Sequence, residues 1–183
     1  MTADKPTVLI VEDEKELAEL FGAWLAGDYA YKIAYNGQEA LDEVGPAVDV
    51  VLLDRRMPGM SGDEVLEEFK ARGIECPVGM VTAVEPDFDI VAMGFDDYIV
   101  KPVSRGELLE FVDNLLSRQE YEDDVQRYFE LASKRAVLES SKSEAELQRS
   151  TEYQALLEEL QTVQQQADAN RDSTVNAKAF ENL

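Results

Sequence analysis

Residues 51–62 read Val51-Leu-Leu-Asp54-Arg-Arg-Met57-Pro58-Gly59-Met60-Ser61-Gly62. With Asp49 and Val50 ahead of it, the first part is apolar on both faces, as a central strand of a parallel sheet covered by helices has to be. Asp54 therefore falls at the carboxyl end of a strand. Pro58 and Gly59 supply turn chemistry, and Ser61-Gly-Asp-Glu64 has the spacing of a capping box that opens a helix through Val65, Leu66 and Phe69 to a C-terminal Gly73.

Outward from this unit the same strand-then-helix pattern repeats. Thr7–Val11 ends at Glu12-Asp13, and Leu17, Leu20, Phe21, Trp24 and Leu25 follow at the spacing of an amphipathic helix. Tyr29–Tyr35 leads through Asn36-Gly37 into a helix carrying Ala40, Leu41 and Val44, closed by Gly45-Pro46. Pro77–Thr82 reads as a fourth strand and Asp97–Val100 as a fifth, with a short helix between them around Phe88–Met93. A last helix starts near Ser104 and carries Leu108, Leu109, Val112, Leu115 and Leu116. Five strands alternating with helices predict an α/β domain over residues 1–118, a doubly wound five-stranded parallel sheet of flavodoxin-like order 2-1-3-4-5.

In such a sheet the carboxyl ends of the strands open on one crevice. Glu12, Asp13, Asp54, Thr82 and Lys101 all stand at strand ends, so three acids, a hydroxyl and an ammonium converge there. Like charges about 4 Å apart repel by roughly 4 kcal/mol per pair at an effective dielectric of about 20, which calls for a cation among them. Oxygen-only ligands suit a hard ion such as Mg²⁺.

Composition narrows the chemistry. The 183 residues hold 39 acids against 17 bases, a net charge of −22, and the excess runs through both halves: 25 acids to 10 bases in 1–118 and 14 to 7 in 119–183. That disfavours broad binding to nucleic acid and matches the surface habit of proteins in salt-accumulating halophiles. Histidine is absent, which excludes imidazole catalysis and any phosphohistidine on this chain. Cys76 is the lone cysteine and is expected to be a small core residue; no internal disulfide is possible. No signal segment or membrane span is evident, so a cytoplasmic protein is expected.

The acid pair Glu12-Asp13, the run Asp-x-x-Met-Pro-Gly-x-x-Gly at Asp54–Gly62, Thr82-Ala83 and Lys101-Pro102, in this order, resemble the receiver domain of two-component response regulators. The resemblance implies that Asp54 is the phosphoacceptor for a phosphoryl group from a sensor histidine kinase. It also implies that Asp13 binds Mg²⁺ directly, Glu12 through water and Arg56 by its backbone carbonyl. Thr82 and Lys101 would hold the phosphoryl oxygens, Tyr98 would turn inward with Thr82 as the switch, and the Lys101-Pro102 peptide would be cis. Such a domain is not a turnover enzyme beyond self-catalysed phosphotransfer and slow autodephosphorylation. An aspartate-nucleophile phosphatase of the haloacid dehalogenase type would need an acid where Arg56 stands.

From Glu107 to Leu183 there is neither glycine nor proline, which predicts long helices over residues 119–183. Val125, Phe129, Ala132 and Ala136 form one apolar stripe. Tyr153, Leu156, Leu160, Val163 and Ala167 form another, after a polar joint at 140–143 and a capping box at Ser143–Glu146. The stripe ends at Ala167, and the Gln- and Asp-rich end, Gln164 to Leu183, is expected to fray. Strings such as Ala132-Ser-Lys-Arg-Ala-Val-Leu-Glu139 resemble the HalX domain of haloarchaeal response regulators. That resemblance implies a helical output or dimerisation module, acting through a second copy or a helical partner. A phosphotransfer intermediate with a dimerising tail, or a DNA-binding transcription factor, are the alternatives.

Overall fold

The computed structural model describes residues 4–119 and 123–180, with side chains through Ala169. Its elements are β1 (Thr7–Val11), α1 (Lys15–Leu25), β2 (Ala30–Ala34), α2 (Gly37–Glu43), β3 (Val50–Leu53), α3 (Gly62–Ala71), β4 (Val78–Thr82), a 3-10 turn (Phe88–Ala92), β5 (Asp97–Val100) and α4 (Arg105–Arg118). Beyond them lie α5 (Asp123–Ser141), α6 (Glu144–Arg149) and α7 (Thr151–Phe180). All four strand pairings are parallel and the order is β2-β1-β3-β4-β5. This is the doubly wound sheet that the alternation of elements predicts.

Two compact units result: residues 1–85 with 92–119, and residues 86–91 with 120–183. In the first, every residue of β3 and β4 is buried, because helices cover both faces. On one face Val8, Ile10, Val50, Leu52 and Val81 meet Phe21 and Leu25 of α1 and Leu108, Val112 and Leu115 of α4 in a single apolar cluster. On the other face α2 packs on α3. Side chains at the helix starts satisfy free backbone donors: Asn36 Oδ1 accepts from Glu39 N at 2.9 Å, and Ser61–Glu64 and Ser104–Glu107 both form capping boxes. Gly73, at φ +68°, ends α3 in the left-handed conformation expected of it.

Three readings of this unit change. Leu20 is 43% exposed while Ala18 is fully buried, so the face of α1 toward the sheet is one residue round from the expected stripe. The helix before β5 is a 3-10 turn, its Asp87–Ile90 bond (3.1 Å) being of the i to i+3 kind. Cys76 is only partly buried; that burial, with the nearby Asp96 and Asp49 charges, pushes its thiol up to about 11.

In the second unit α5 lies antiparallel against α7. Arg127, early in α5, donates to Glu159 (3.1 Å from Nε), and Glu139, late in α5, accepts from the Tyr153 hydroxyl (2.7 Å). Of the expected α7 stripe, Tyr153, Leu156, Leu160 and Val163 are buried and Ala167 is half-buried. The α5 stripe is corrected: Leu131, Lys134 and Leu138 are buried, whereas Val125, Phe129 and Ala132 are half-buried and Ala136 is exposed. A lysine at a core position hides the true stripe from hydropathy. The Ser143–Glu146 capping box is present, but it opens the short α6, after which Ser150 breaks the helix and α7 restarts. The backbone of α7 then runs on to Phe180, past the expected fraying point, on residues of adequate helix propensity without glycine or proline. The continuation of the preceding helix through Glu120–Glu122, and the final residues 181–183, lie outside the described residues. Among the described residues no helix is long and apolar enough to cross a membrane.

Candidate functional site

The residue just past each of β1, β3 and β5 is a site residue held by a backbone bond that extends the sheet by a step. Glu12 N donates to Ala34 O (3.0 Å), Asp54 N to Val11 O (3.0 Å) and Lys101 N to Thr82 O (2.9 Å). Rigid strands therefore set the spacing of the side chains. Glu12, Asp13, Asp54, Thr82 and Lys101, with Arg56, line one crevice of about 570 Å³. All the expected crevice residues come together there.

The loop after Asp54 needs its glycines. A Cβ on Gly62 would lie 2.2 Å from the Asp54 carbonyl oxygen, so only glycine lets the start of α3 close on the acidic residue, sealed by Gly62 N to Arg55 O at 2.8 Å. Gly59 takes φ +79° in the turn between. Arg55, which the motif leaves unspecified, is buried and grips Asp63 of α3 through two guanidinium nitrogens (2.9 and 3.1 Å), pinning the loop from its other side.

The charge pattern is lopsided. One carboxylate oxygen from each of Glu12, Asp13 and Asp54 lies within 4.8 Å of the others. Lys101 faces them, its ammonium bonded to Glu12 and, at 3.2 Å, to Asp54. Burial raises the Glu12 carboxyl above its ordinary 4.5, against the pull of Lys101 and of the Glu14 backbone N–H. Burial works to lower the Lys101 ammonium, but its bond to Glu12 and the Asp54 charge outweigh that and raise it above 10.5. Two cations, Lys101 and Arg56, against the three acids still leave a deficit of positive charge, and the donor set of the cluster is oxygen only. That set fits Mg²⁺.

Thr82 is fully buried at the end of β4 and its Oγ1 accepts from Val84 N at 3.3 Å. Tyr98 of β5 is turned inward, its hydroxyl donating to the Val84 carbonyl (2.6 Å) and its ring packed 5.5 Å from that of Phe95. Val84 thus bridges hydroxyl and aromatic residue, a role carried by its backbone and so without a residue signature. Arg56 lines the crevice and its N–H points to Asp54 Oδ1 at 3.4 Å. The Lys101-Pro102 peptide is cis.

A five-stranded parallel sheet in this order, with acids, threonine and lysine at its carboxyl edge, defines the receiver class of signalling domains. Comparison with known proteins agrees. The response regulator receiver domain model matches residues 8–113 and the HalX domain model residues 117–183. A Haloferax volcanii protein with a transcriptional-regulator name is 45% identical over 177 residues, 95% of this chain but 30% of that protein. Sensory transduction protein RegX3 of Mycobacterium tuberculosis is 40% identical over 117 residues, 61% of this chain and 51% of its own length. Among solved structures, a CheY-like receiver from Methanospirillum hungatei superposes with TM-score 0.58 at 29% identity, covering 64% of this chain and 98% of its own. Response regulator TrrA of Thermotoga maritima, in complex with Mg²⁺ and a beryllium fluoride, gives 0.54 at 35% identity, over 61% of this chain and 99% of its own. The chain belongs to the response regulator receiver family and carries a HalX domain. It spans less than a third of the Haloferax relative and about half of RegX3.

Proposed function

We propose that this chain is a cytoplasmic, phosphorylation-controlled response regulator in which residues 1–118 accept a phosphoryl group on Asp54 and residues 119–183 deliver the output. The donor, as membership of the receiver family supports, is a phosphohistidine on a sensor histidine kinase; this chain, with no histidine, does not carry one itself. The observation that carries the reading is Lys101 bonded at once to Glu12 and Asp54 in the crevice that Thr82 also lines. Asp13 and Asp54, with Glu12 and the Arg56 carbonyl, would hold Mg²⁺, which would supply the positive charge the three acids lack.

In the transfer an Asp54 carboxylate oxygen attacks phosphorus, and the P–N bond to the kinase imidazole breaks as the P–O bond forms. Lys101 then exchanges part of its bonding from carboxylate to phosphoryl oxygen, and the Thr82 hydroxyl donates to another. Thr82 must turn toward the crevice to do so and gives up the Val84 N–H. Val84 is also the acceptor for Tyr98, so releasing its N–H loosens the residue that holds the ring hydroxyl. The two states differ by their affinity for the phosphoryl group and by nothing else that the ligand contributes.

The name of the Haloferax relative supports a transcriptional output. A net charge of −7 over residues 119–183 favours a protein partner or a second copy over direct contact with DNA. Asp54→Asn, incubated with acetyl phosphate or a cognate kinase and Mg²⁺, is expected to take up no phosphate by intact-mass measurement. Stoichiometric labelling of that variant refutes the phosphoacceptor assignment.

A further inference from the structure

Lys134 is 1% exposed in the middle of α5, at a position where packing alone asks for leucine or methionine. Burying an ammonium costs several kcal/mol unless its donors are used. Here they go to Glu130 one turn earlier (2.9 Å) and to the backbone carbonyl of Val91 (3.2 Å). Val91 lies near the end of the 3-10 turn Phe88–Ala92, where carbonyls lack partners of their own and attract a cation. A second lysine holds the other end: Lys142 pairs with Asp87 at 3.0 Å and sits 5.5 Å from the Phe88 ring centroid.

These contacts explain why residues 86–91, which in sequence lie between β4 and β5, form one compact unit with 120–183. They also place two sets of pins close together along the chain. Thr82 and Tyr98 fix Val84; Lys142 and Lys134 fix Asp87 and Val91. Only Glu85 and Pro86 lie between Val84 and Asp87, and proline has a fixed φ. A shift of Val84 has almost no slack in which to dissipate.

We propose that Lys134 is the receiving point of the switch in the helical unit, its bond to Val91 making residues 86–91 a strut through which movement of Thr82–Val84 reaches α5. The proposal rests on the reading of Asp54 and Thr82 given above. The test is hydrogen exchange on the full chain, with and without Mg²⁺ and beryllofluoride, comparing the natural sequence with Lys134→Met. In the natural chain the additive is expected to change exchange in 82–85, in 86–91 and in α5, by about tenfold at the most affected amides. In Lys134→Met the change in 82–85 should persist while that in α5 is lost.

A Lys134→Met chain whose α5 responds as the natural one does overturns the strut, as does a natural chain that responds in 82–85 and nowhere in α5. If 82–85 does not respond at all, the reading of the phosphoacceptor site fails. The additive-free arm then decides the strut separately: Lys134→Met should raise exchange of 86–91 about tenfold without altering β1 or β3. Should that variant unfold the helical unit, Lys142→Met removes the Asp87 pin from a side chain one-fifth exposed and carries the same expectation for 86–91. Unchanged exchange there overturns the proposal.

Discussion

Removing the ammonium from the crevice without changing its shape, as in Lys101→Met, exposes how the acids are balanced. The side chains of Lys101, Glu12 and Asp54 are 15%, 4% and 10% exposed, so solvent screens them weakly. Carboxylate oxygens within 4.8 Å repel by about 3.5 kcal/mol per pair at an effective dielectric of 20. Protonation and entering water cap the net loss near the ~3–5 kcal/mol typical of breaking a buried ion pair, and we expect about 3. The pH dependence has a definite sign. Glu12 already binds its proton more tightly in the folded chain than at its ordinary 4.5, because it is buried, and the loss of Lys101 strengthens that preference. A raised carboxyl makes the folded state relatively more stable below its folded pKa and less stable as pH rises through it. The deficit should therefore grow as pH rises from the ordinary carboxyl range through the raised folded value, shrink by half or more in a Glu12→Gln background, and be largely recovered by millimolar Mg²⁺. Urea unfolding at constant m-value measures all three. A deficit under about 1 kcal/mol, or one indifferent to pH and to Glu12→Gln, refutes the account of the site as acids held together by one amine.

Other substitutions test separate parts. Gly62→Ala forces a Cβ to within 2.2 Å of the Asp54 carbonyl oxygen, so the loop must shift; a loss of about 2–4 kcal/mol in urea unfolding and at least tenfold slower labelling by acetyl phosphate are expected. Tyr98→Phe removes the 2.6 Å bond to Val84 at a cost of about 1 kcal/mol, while labelling of Asp54 should proceed unchanged. Ser61→Ala removes half of the α3 capping box and should cost about 1 kcal/mol without altering Mg²⁺ affinity, measured by thermal unfolding with and without the ion.

The sheet was legible because buried parallel strands leave a strong mark: Val50–Leu53 is apolar on both faces, and Asp97–Val100 is bounded as the sequence predicts. The crevice followed from topology, since the carboxyl ends of β1, β3, β4 and β5 open on it. Helix faces were less legible. In α1 the small Ala18 is buried where the larger Leu20 is not, because close approach to the sheet rewards small size, which hydropathy does not register. In α5 hydropathy discards Lys134 as a surface residue; its burial depends on a carbonyl 43 positions earlier in the chain. Val84 is invisible for a simpler reason, since it acts through main-chain atoms that every residue possesses. The break at Ser150 is likewise set by its side chain accepting from Tyr153 N at 3.1 Å, a local cap inside an otherwise continuous helical pattern.

The charge of the whole chain also constrains how a signal can travel. A phosphoryl group adds about −1.5 to −2 to a protein already at −22, less than a tenth of the total, so the long-range field is nearly the same in both states. At 1 M ionic strength the screening length in solvent is about 3 Å, so the added charge would not reach exposed groups across the surface, and only buried neighbours such as Lys101 and Thr82 would feel it. Anything beyond the crevice must be moved by packed atoms. Val84 touches both the threonine and Tyr98, and the next pinned residue is Asp87, so the shortest mechanical path leads out along the β4–β5 connection. Potassium chloride should therefore weaken the exposed Lys32–Glu43 pair while leaving the response of α5 to an occupied Asp54 almost unchanged. A response that fell steeply with salt would show that field, not geometry, carries the signal.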